Sequence, residues 1–349
     1  MTFRRSIALA VIAAVTAAAA VCNYAGVTAV VSFAVAGVAL AGLAWVVGFA
    51  TEAVGGRLGP AATGVLQSTL GNLPEFFVVV FALRAGQTVV AQTSLVGSLL
   101  ANALLVLGLA IVAGARAAPD GVMRFSPRLP NDTATLLLVA VFLIALIGVS
   151  TNTSDPASHH VVAISVVGAV CLLVVYVAWL VPYLRSTPSV PEAAHDVSVS
   201  TGVAAVLLAA AGVGAAFVSD WFVAALQPTM DRLHLSPSFT GLVVVAIAGN
   251  AVENAAGVML AAKGRSDLAI SVVKNSVSQV AVFLYPALVL VSLLFASQLT
   301  FALSPVLVAA IALTALIIWQ VTGDGEAPLF EGLGLVALFA MLAALVWFE

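Results

Sequence analysis

The chain has 349 residues, 63% of them hydrophobic and 8% charged, with a mean hydropathy of +1.20. A soluble globular protein carries about 25% charged residues, so this composition excludes a soluble enzyme and a disordered chain, and 12 Lys and Arg against 15 Asp and Glu exclude a nucleic-acid binder. What remains is an all-α polytopic membrane protein whose solvent is the lipid bilayer.

A spanning helix needs about 20 mainly apolar residues. Eleven such stretches are predicted: 6–22, 28–54, 60–84, 87–115, 132–150, 159–184, 198–218, 236–263, 266–294, 298–319 and 328–348. The first follows Arg4 and Arg5 and ends in small residues before Cys22, so it has the outline of a cleaved signal as well as of a first transmembrane helix. Its length, and later helices that insert without a signal, favour the helix. Glu52, at the cytoplasmic end of the second span, either gates ion entry or sits at the interface. Gly55-Gly56, Ser126-Pro127 and Pro130-Asn131-Asp132 punctuate the following spans. The run from Ser186 to Asp196 contains Pro188 and Pro191 and reads as a linker between two halves. The longest loop has 17 residues, 219–235, which leaves no room for a soluble domain. His159, His160, His195 and His234 fall in loops without metal-site spacing. Cys22 and Cys171 sit far apart in apolar runs, and no phosphate-cradling Gly-x-x-x-x-Gly-Lys motif occurs. No cofactor is expected. A homo-oligomer is compatible with the sequence.

With the N-terminus inside, Arg4, Arg5, Arg57, Arg116, Arg124, Arg128, Arg185, Lys263 and Arg265 face the cytoplasm, and only Arg84 and Arg232 face outward. Short loops carry their excess of Lys and Arg on the cytoplasmic side. The expected orientation is therefore N-terminus inside and C-terminus outside, in the cytoplasmic membrane.

The dipeptide Gly-Asn occurs twice, at Gly71-Asn72 and Gly249-Asn250, each followed three residues later by a glutamate, Glu75 and Glu253. The same offset of 178 pairs Gly86 with Gly264 and Ser98 with Ser276. This is an internal duplication. The expected organisation is a transmembrane helix over 1–26, a five-helix repeat over 27–185, a cytoplasmic linker over 186–197 and a second five-helix repeat over 198–349. Five is odd, so the second repeat enters the membrane inverted, as in many secondary transporters, and the repeat axis brings Glu75 and Glu253 together near mid-bilayer.

Charges inside spans are expensive, by about 2.5–3.5 kcal/mol on insertion scales, so the few present call for a role. Asn72 and Glu75, Asn250 and Glu253, and Ser276 and Gln279 are each three apart, and Ser98 and Asn102 four apart, on shared helix faces. Gly71, Pro74 and Gly249 weaken the helix beside them, and Pro74 frees a carbonyl. Two carboxylates, several amide and hydroxyl oxygens and free carbonyls make an all-oxygen site for a hard cation such as Ca²⁺. Two ionised glutamates neutralise one divalent ion; without it, burial and mutual repulsion favour the protonated acids. Cation and protons then compete for the same oxygens. Such competition at one site, combined with alternating access, is sufficient for an antiporter exchanging a hard divalent cation for protons. The alternatives are Na⁺-driven Ca²⁺ exchange and, in another class, an intramembrane enzyme with the glutamates as paired acid and base.

Residues 56–86 with 94–110, and 241–273 with 276–290, resemble the two signature regions of the Ca²⁺/H⁺ exchanger family, and residues 48–55 resemble it too. The resemblance covers about a third of the chain. It implies exchange of cytosolic Ca²⁺ for protons, with Glu75 and Glu253 as the central ion-binding acids, surrounded by Asn72, Asn250, Ser98, Ser276 and Gln279. The sequence departs from the family pattern at named points. Leu73-Pro74-Glu75 replaces the usual Ala-Thr-Glu and is similar to the sodium/calcium exchangers of the same superfamily. Asn254 stands where the family has His. The Gly-Ser-Ser-x-Gln stretch is here Asn275-Ser276-Val277-Ser278-Gln279, preceded by Lys274. On a helical wheel Lys274 lies about 140° from Gln279 and about 160° from Ser276. It is expected to snorkel toward the cytoplasm and pair with Asp267; the other reading makes it a built-in cation near the site.

Overall fold

The computed structural model describes residues 3–55, 69–126, 128–153, 155–186 and 200–349. Its principal helices, in chain order, are α1 (Phe3–Tyr24), α2 (Ala29–Gly55), α3 (Leu73–Arg84), α4 (Thr88–Ala117), α5 (Arg128–Asn152) and α6 (Val161–Ser186), then α7 (Thr201–Leu233), α8 (Pro237–Gly249), α9 (Ala251–Ala262), α10 (Ser266–Ser292), α11 (Pro305–Gly323) and α12 (Leu329–Trp347). Two short strands, β1 (Val122–Arg124) and β2 (Glu326–Pro328), pair antiparallel with Met123 opposite Ala327. Among the described residues nine helices are long and apolar enough to cross a membrane. The protein is an all-helical integral membrane protein, as composition requires.

The third and eighth predicted spans are not continuous helices. Residues 69–71 are helical, Asn72 leaves the helix, and α3 begins at Leu73. In the same way α8 ends at Gly249, Asn250 leaves the helix, and α9 begins at Ala251. Three features recur at an offset of about 178 residues. Helices α3 and α9 each have 12 residues. Gly86 and Gly264 both turn the chain in the left-handed region, at φ 74° and 72°, which an L side chain resists. Helix α4 has a π-helical segment at Ala101–Val106 and α10 has one at Val280–Leu284.

One boundary differs substantially from the sequence expectation. Residues 219–233, read as loop, continue α7 without a break. The helix starts where Ser200 Oγ accepts from the Val203 N–H and stops at His234, in the left-handed conformation with φ 52°. Isolated polar side chains do not end a helix that still packs. Ser219 is buried, Gln227 donates to Asp231 one turn on at 2.8 Å, and Thr229 donates to Ala225 O at 2.7 Å beside Pro228.

By packing the chain forms two compact units: residues 1–85, 178–235 and 248–252, and residues 86–177, 236–247 and 253–349. In the first unit α2 lies along α7, with Phe33 stacked on Phe222 at 4.3 Å. Helix α1 packs on α2, where the Arg5 guanidinium sits 5.1 Å over the Phe49 ring. Helix α3 packs on α7, and Ser219 Oγ donates to Pro74 O at 3.4 Å. In the second unit glycines let backbones meet. A Cβ on Gly97 of α4 would run into the backbone of Leu242 in α8, and one on Gly108 would meet Gly332 O of α12 at 2.7 Å. Small residues at helix contacts are how membrane helices approach closely.

Candidate ion-binding site

The first unit supplies Asn72, Glu75 and Asn250, all buried. Glu75 is 4% exposed and lies in the first turn of α3, a helix end that favours negative charge. Pro74 occupies the same first turn, where its missing N–H forfeits no bond within α3. Asn72 is the residue before that turn, where an asparagine ordinarily caps the helix with its side chain. Here it does not: its backbone carbonyl takes the Phe76 N–H at 2.9 Å, while Oδ1 and Nδ2 are buried without a hydrogen bond among the described residues. Leaving a buried amide unsatisfied costs about 1–3 kcal/mol per group, which makes Asn72 a candidate ligand.

The second unit supplies Ser98, Asn102, Ser276 and Gln279, also buried. Asn102 Nδ2 donates to Ser276 Oγ at 3.0 Å, so residues of the two repeats meet on α4 and α10. An amide has one acceptor oxygen. With Nδ2 committed to Ser276, Oδ1 is the acceptor that remains on Asn102. Gln279 repeats the pattern: Nε2 donates to the Tyr176 hydroxyl at 3.4 Å, and Oε1 is buried without a hydrogen bond among the described residues. Both π segments begin at this level of their helices, at Ala101 and Val280. Such segments are frequent at functional sites.

The side chains of Glu52, Glu253 and Asn254 lie outside the described residues; their backbones are helical, in α2 and α9. Gly71 ends the helical residues before Asn72, and Gly249 ends α8. Lys274 corrects the expectation placed on it. It does not snorkel: it is 2% exposed, and Nζ donates to Thr322 Oγ1 of α11 at 2.7 Å. Asp267, its expected partner, accepts instead from the Ser126 N–H at 2.6 Å. Sequence reasoning missed Tyr176, Thr133 and Thr322. Tyr176 had a signal, since it sits well inside its span rather than at an end where interfacial aromatics gather. Thr133 meets Ser278 only through its backbone carbonyl, at 3.2 Å, and leaves no pattern in the sequence.

At the helix break before α3 the buried Glu75 follows the Asn72 side-chain amide, which has no hydrogen bond among the described residues, an arrangement suited to holding a cation. The family model described as "Sodium/calcium exchanger protein" matches residues 7–184 and 203–348, and the chain belongs to that family. It is a transporter and not an enzyme. It is 31% identical over 341 residues to a "Ca(2+)/H(+) antiporter" of Synechocystis sp., covering 91% of each chain. It is 30% identical over 322 residues to the "Ca(2+)/H(+) antiporter ChaA" of Bacillus subtilis, covering 90% of this chain and 91% of that one. Its structure is similar to that of YfkE, with a TM-score of 0.83 at 28% identity, over 98% of this chain and 100% of the other. The fold is also that of the H⁺/Ca²⁺ exchanger CAX, with a TM-score of 0.77 at 14% identity, over 99% and 93%.

Proposed function

We propose that this protein exchanges Ca²⁺ for protons across a membrane, with Glu75 and Glu253 taking up cation and protons in turn. Asn72, Asn250, Ser98, Asn102, Ser276 and Gln279 serve as neutral oxygen ligands. The observation that carries the reading is the pair of Gly-Asn helix breaks, one of them followed by the buried Glu75 and holding a side-chain amide with no hydrogen bond among the described residues. The names of the bacterial relatives support the choice of ions. Each ligand type is hard oxygen, as Ca²⁺ prefers. Competition of one divalent ion with protons for the same carboxylates, combined with alternating access, is sufficient for exchange.

The arginine-rich loops support a cytoplasmic N-terminus and export of Ca²⁺ from the cytosol against inward protons. The repeats 27–185 and 198–349, joined by the linker 186–197, are the halves this reading assigns to alternating access.

The test is Ca²⁺ uptake into proteoliposomes under an imposed proton gradient, with and without Na⁺, for wild type and Glu253→Gln. Uptake that follows the proton gradient, ignores Na⁺ and disappears in the variant is expected. Uptake that requires Na⁺ supports the second reading, Na⁺-driven exchange, which Leu73-Pro74-Glu75 favours. Undiminished uptake in Glu253→Gln sinks the assignment of the acids.

A further inference from the structure

Lys274 lies in the first half of α10, inside a span, yet is as buried as the core around it. A lysine in a span is costly to bury and ordinarily reaches for the interface. Here Nζ donates to Thr322 Oγ1 at 2.7 Å, and the Thr322 hydroxyl donates onward to Ile318 O at 2.6 Å. Thr322 is in the last turn of α11, which ends at Gly323. Backbone carbonyls at a helix end lack helical partners and carry the negative pole of the helix, so a donor is favoured there.

The direction of the side chain matters as much as its partner. Residues Ser266–Gln279 are regular α-helix, so the wheel applies between these positions. Lys274 projects about 160° from Ser276 and about 140° from Gln279. Its latch to α11 is therefore on the opposite face of α10 from Ser276, whose Oγ meets Asn102. Two more bonds hold the same stretch: Asp267 Oδ1 accepts from the Ser126 N–H, and Ser278 Oγ donates to Thr133 O. Immediately after Gln279 the helix passes into its π segment and loses α register. The latch at Lys274 thus acts on the rotational setting of Ser276 and Gln279 together with these bonds.

We propose that Lys274 is a positioning residue for the ion site: latched to Thr322, it sets the rotation of α10 that presents Ser276 and Gln279 to the cation. This rests on the exchange reading above. It needs no contact between Lys274 and the ion.

The test is the Ca²⁺ dependence of proton-driven uptake in proteoliposomes, together with thermal unfolding in detergent. The proteins are wild type, Thr322→Val, Thr322→Ser and the double variant Lys274→Met with Thr322→Val. Loss of the hydroxyl in Thr322→Val is expected to raise the half-saturating Ca²⁺ concentration by about tenfold, with the maximal rate changed by less than about twofold. Thr322→Ser keeps the acceptor and stays at the wild-type value. The double variant replaces both members of the latch with apolar side chains; its folding is read by the thermal unfolding, and it shares the raised half-saturation. A double variant that unfolds like wild type and keeps the wild-type half-saturation overturns the inference alone. A wild-type protein that exchanges no Ca²⁺ for protons overturns the exchange reading and this inference with it.

Discussion

Asn72 and Gln279 each bury an amide oxygen that no described residue satisfies, and that sets a sign that distinguishes a ligand from helix glue. An orphaned polar group lowers stability until its partner arrives. Asn72→Leu is therefore expected to unfold at a higher temperature than wild type without Ca²⁺, and to gain less when Ca²⁺ is added. Heat unfolding in detergent reads both. A lower unfolding temperature without Ca²⁺ and an unchanged gain would make Asn72 structural. In transport, Asn72→Ala is expected to raise half-saturating Ca²⁺ by about ten- to hundredfold, the loss of one interaction with a charged partner. Tyr176→Phe is expected to be milder, below about 1 kcal/mol, because its bond from Gln279 is 3.4 Å long. The polar residues of the site were legible because each is rare in so apolar a chain. Thr322 was not, since its partner is 48 residues away and a threonine in a span is unremarkable by itself.

Breaks and close crossings decide what happens at the scale of elements. Gly97 meets the backbone of Leu242, so Gly97→Ala must push α4 away from α8. A loss of about 1–3 kcal/mol is expected, by heat or denaturant unfolding. A Cβ on Gly202 of α7 would meet nothing within 4 Å among the described residues outside its own helix, and Gly202→Ala is expected to be neutral or slightly stabilising. Equal losses in the two variants would contradict the crossing. At the β1–β2 sheet Arg124 bonds Asp120 at 2.6 Å and Glu326 at 3.1 Å in exposed positions. Hydrogen bonding to Arg124 holds the Asp120 carboxyl below its ordinary range, and Asp120 in turn raises Arg124. A depressed carboxyl contributes stability above its unfolded titration range and loses it as pH falls through the folded one. Asp120→Asn should therefore cost a little stability at neutral pH and nothing in strong acid. The helix breaks were legible in Gly71-Asn72 and Gly249-Asn250, and the paired π segments follow the same repeat. The length of α7 was not legible. Asp220 and Asp231 suggest a loop, and only packing of the buried Ser219 and Thr229 shows why the helix continues.

For the whole molecule, competition between one divalent cation and protons fixes the pH response. Half-saturating Ca²⁺ should rise as pH falls through the range where the glutamates protonate, by about tenfold per pH unit for each competing proton. A half-saturation independent of pH would separate the proton site from the cation site. The membrane class, the duplication at an offset of 178 residues and the family resemblance were all present in the sequence, because charge is so scarce that its placement carries information. The burial of Lys274 against α11 was absent from it, because snorkelling and burial begin from the same local pattern. The central claim, that Ca²⁺ and protons share one set of carboxylates, is tested most directly by their coupling. Proteoliposomes holding a preset proton gradient, reported by a pH-sensitive dye, receive Ca²⁺ on one side. Wild type is expected to discharge the gradient in proportion to the Ca²⁺ that crosses, and Glu75→Gln to leave it standing. A gradient untouched by Ca²⁺ in wild type, or discharged equally by Glu75→Gln, would contradict the account.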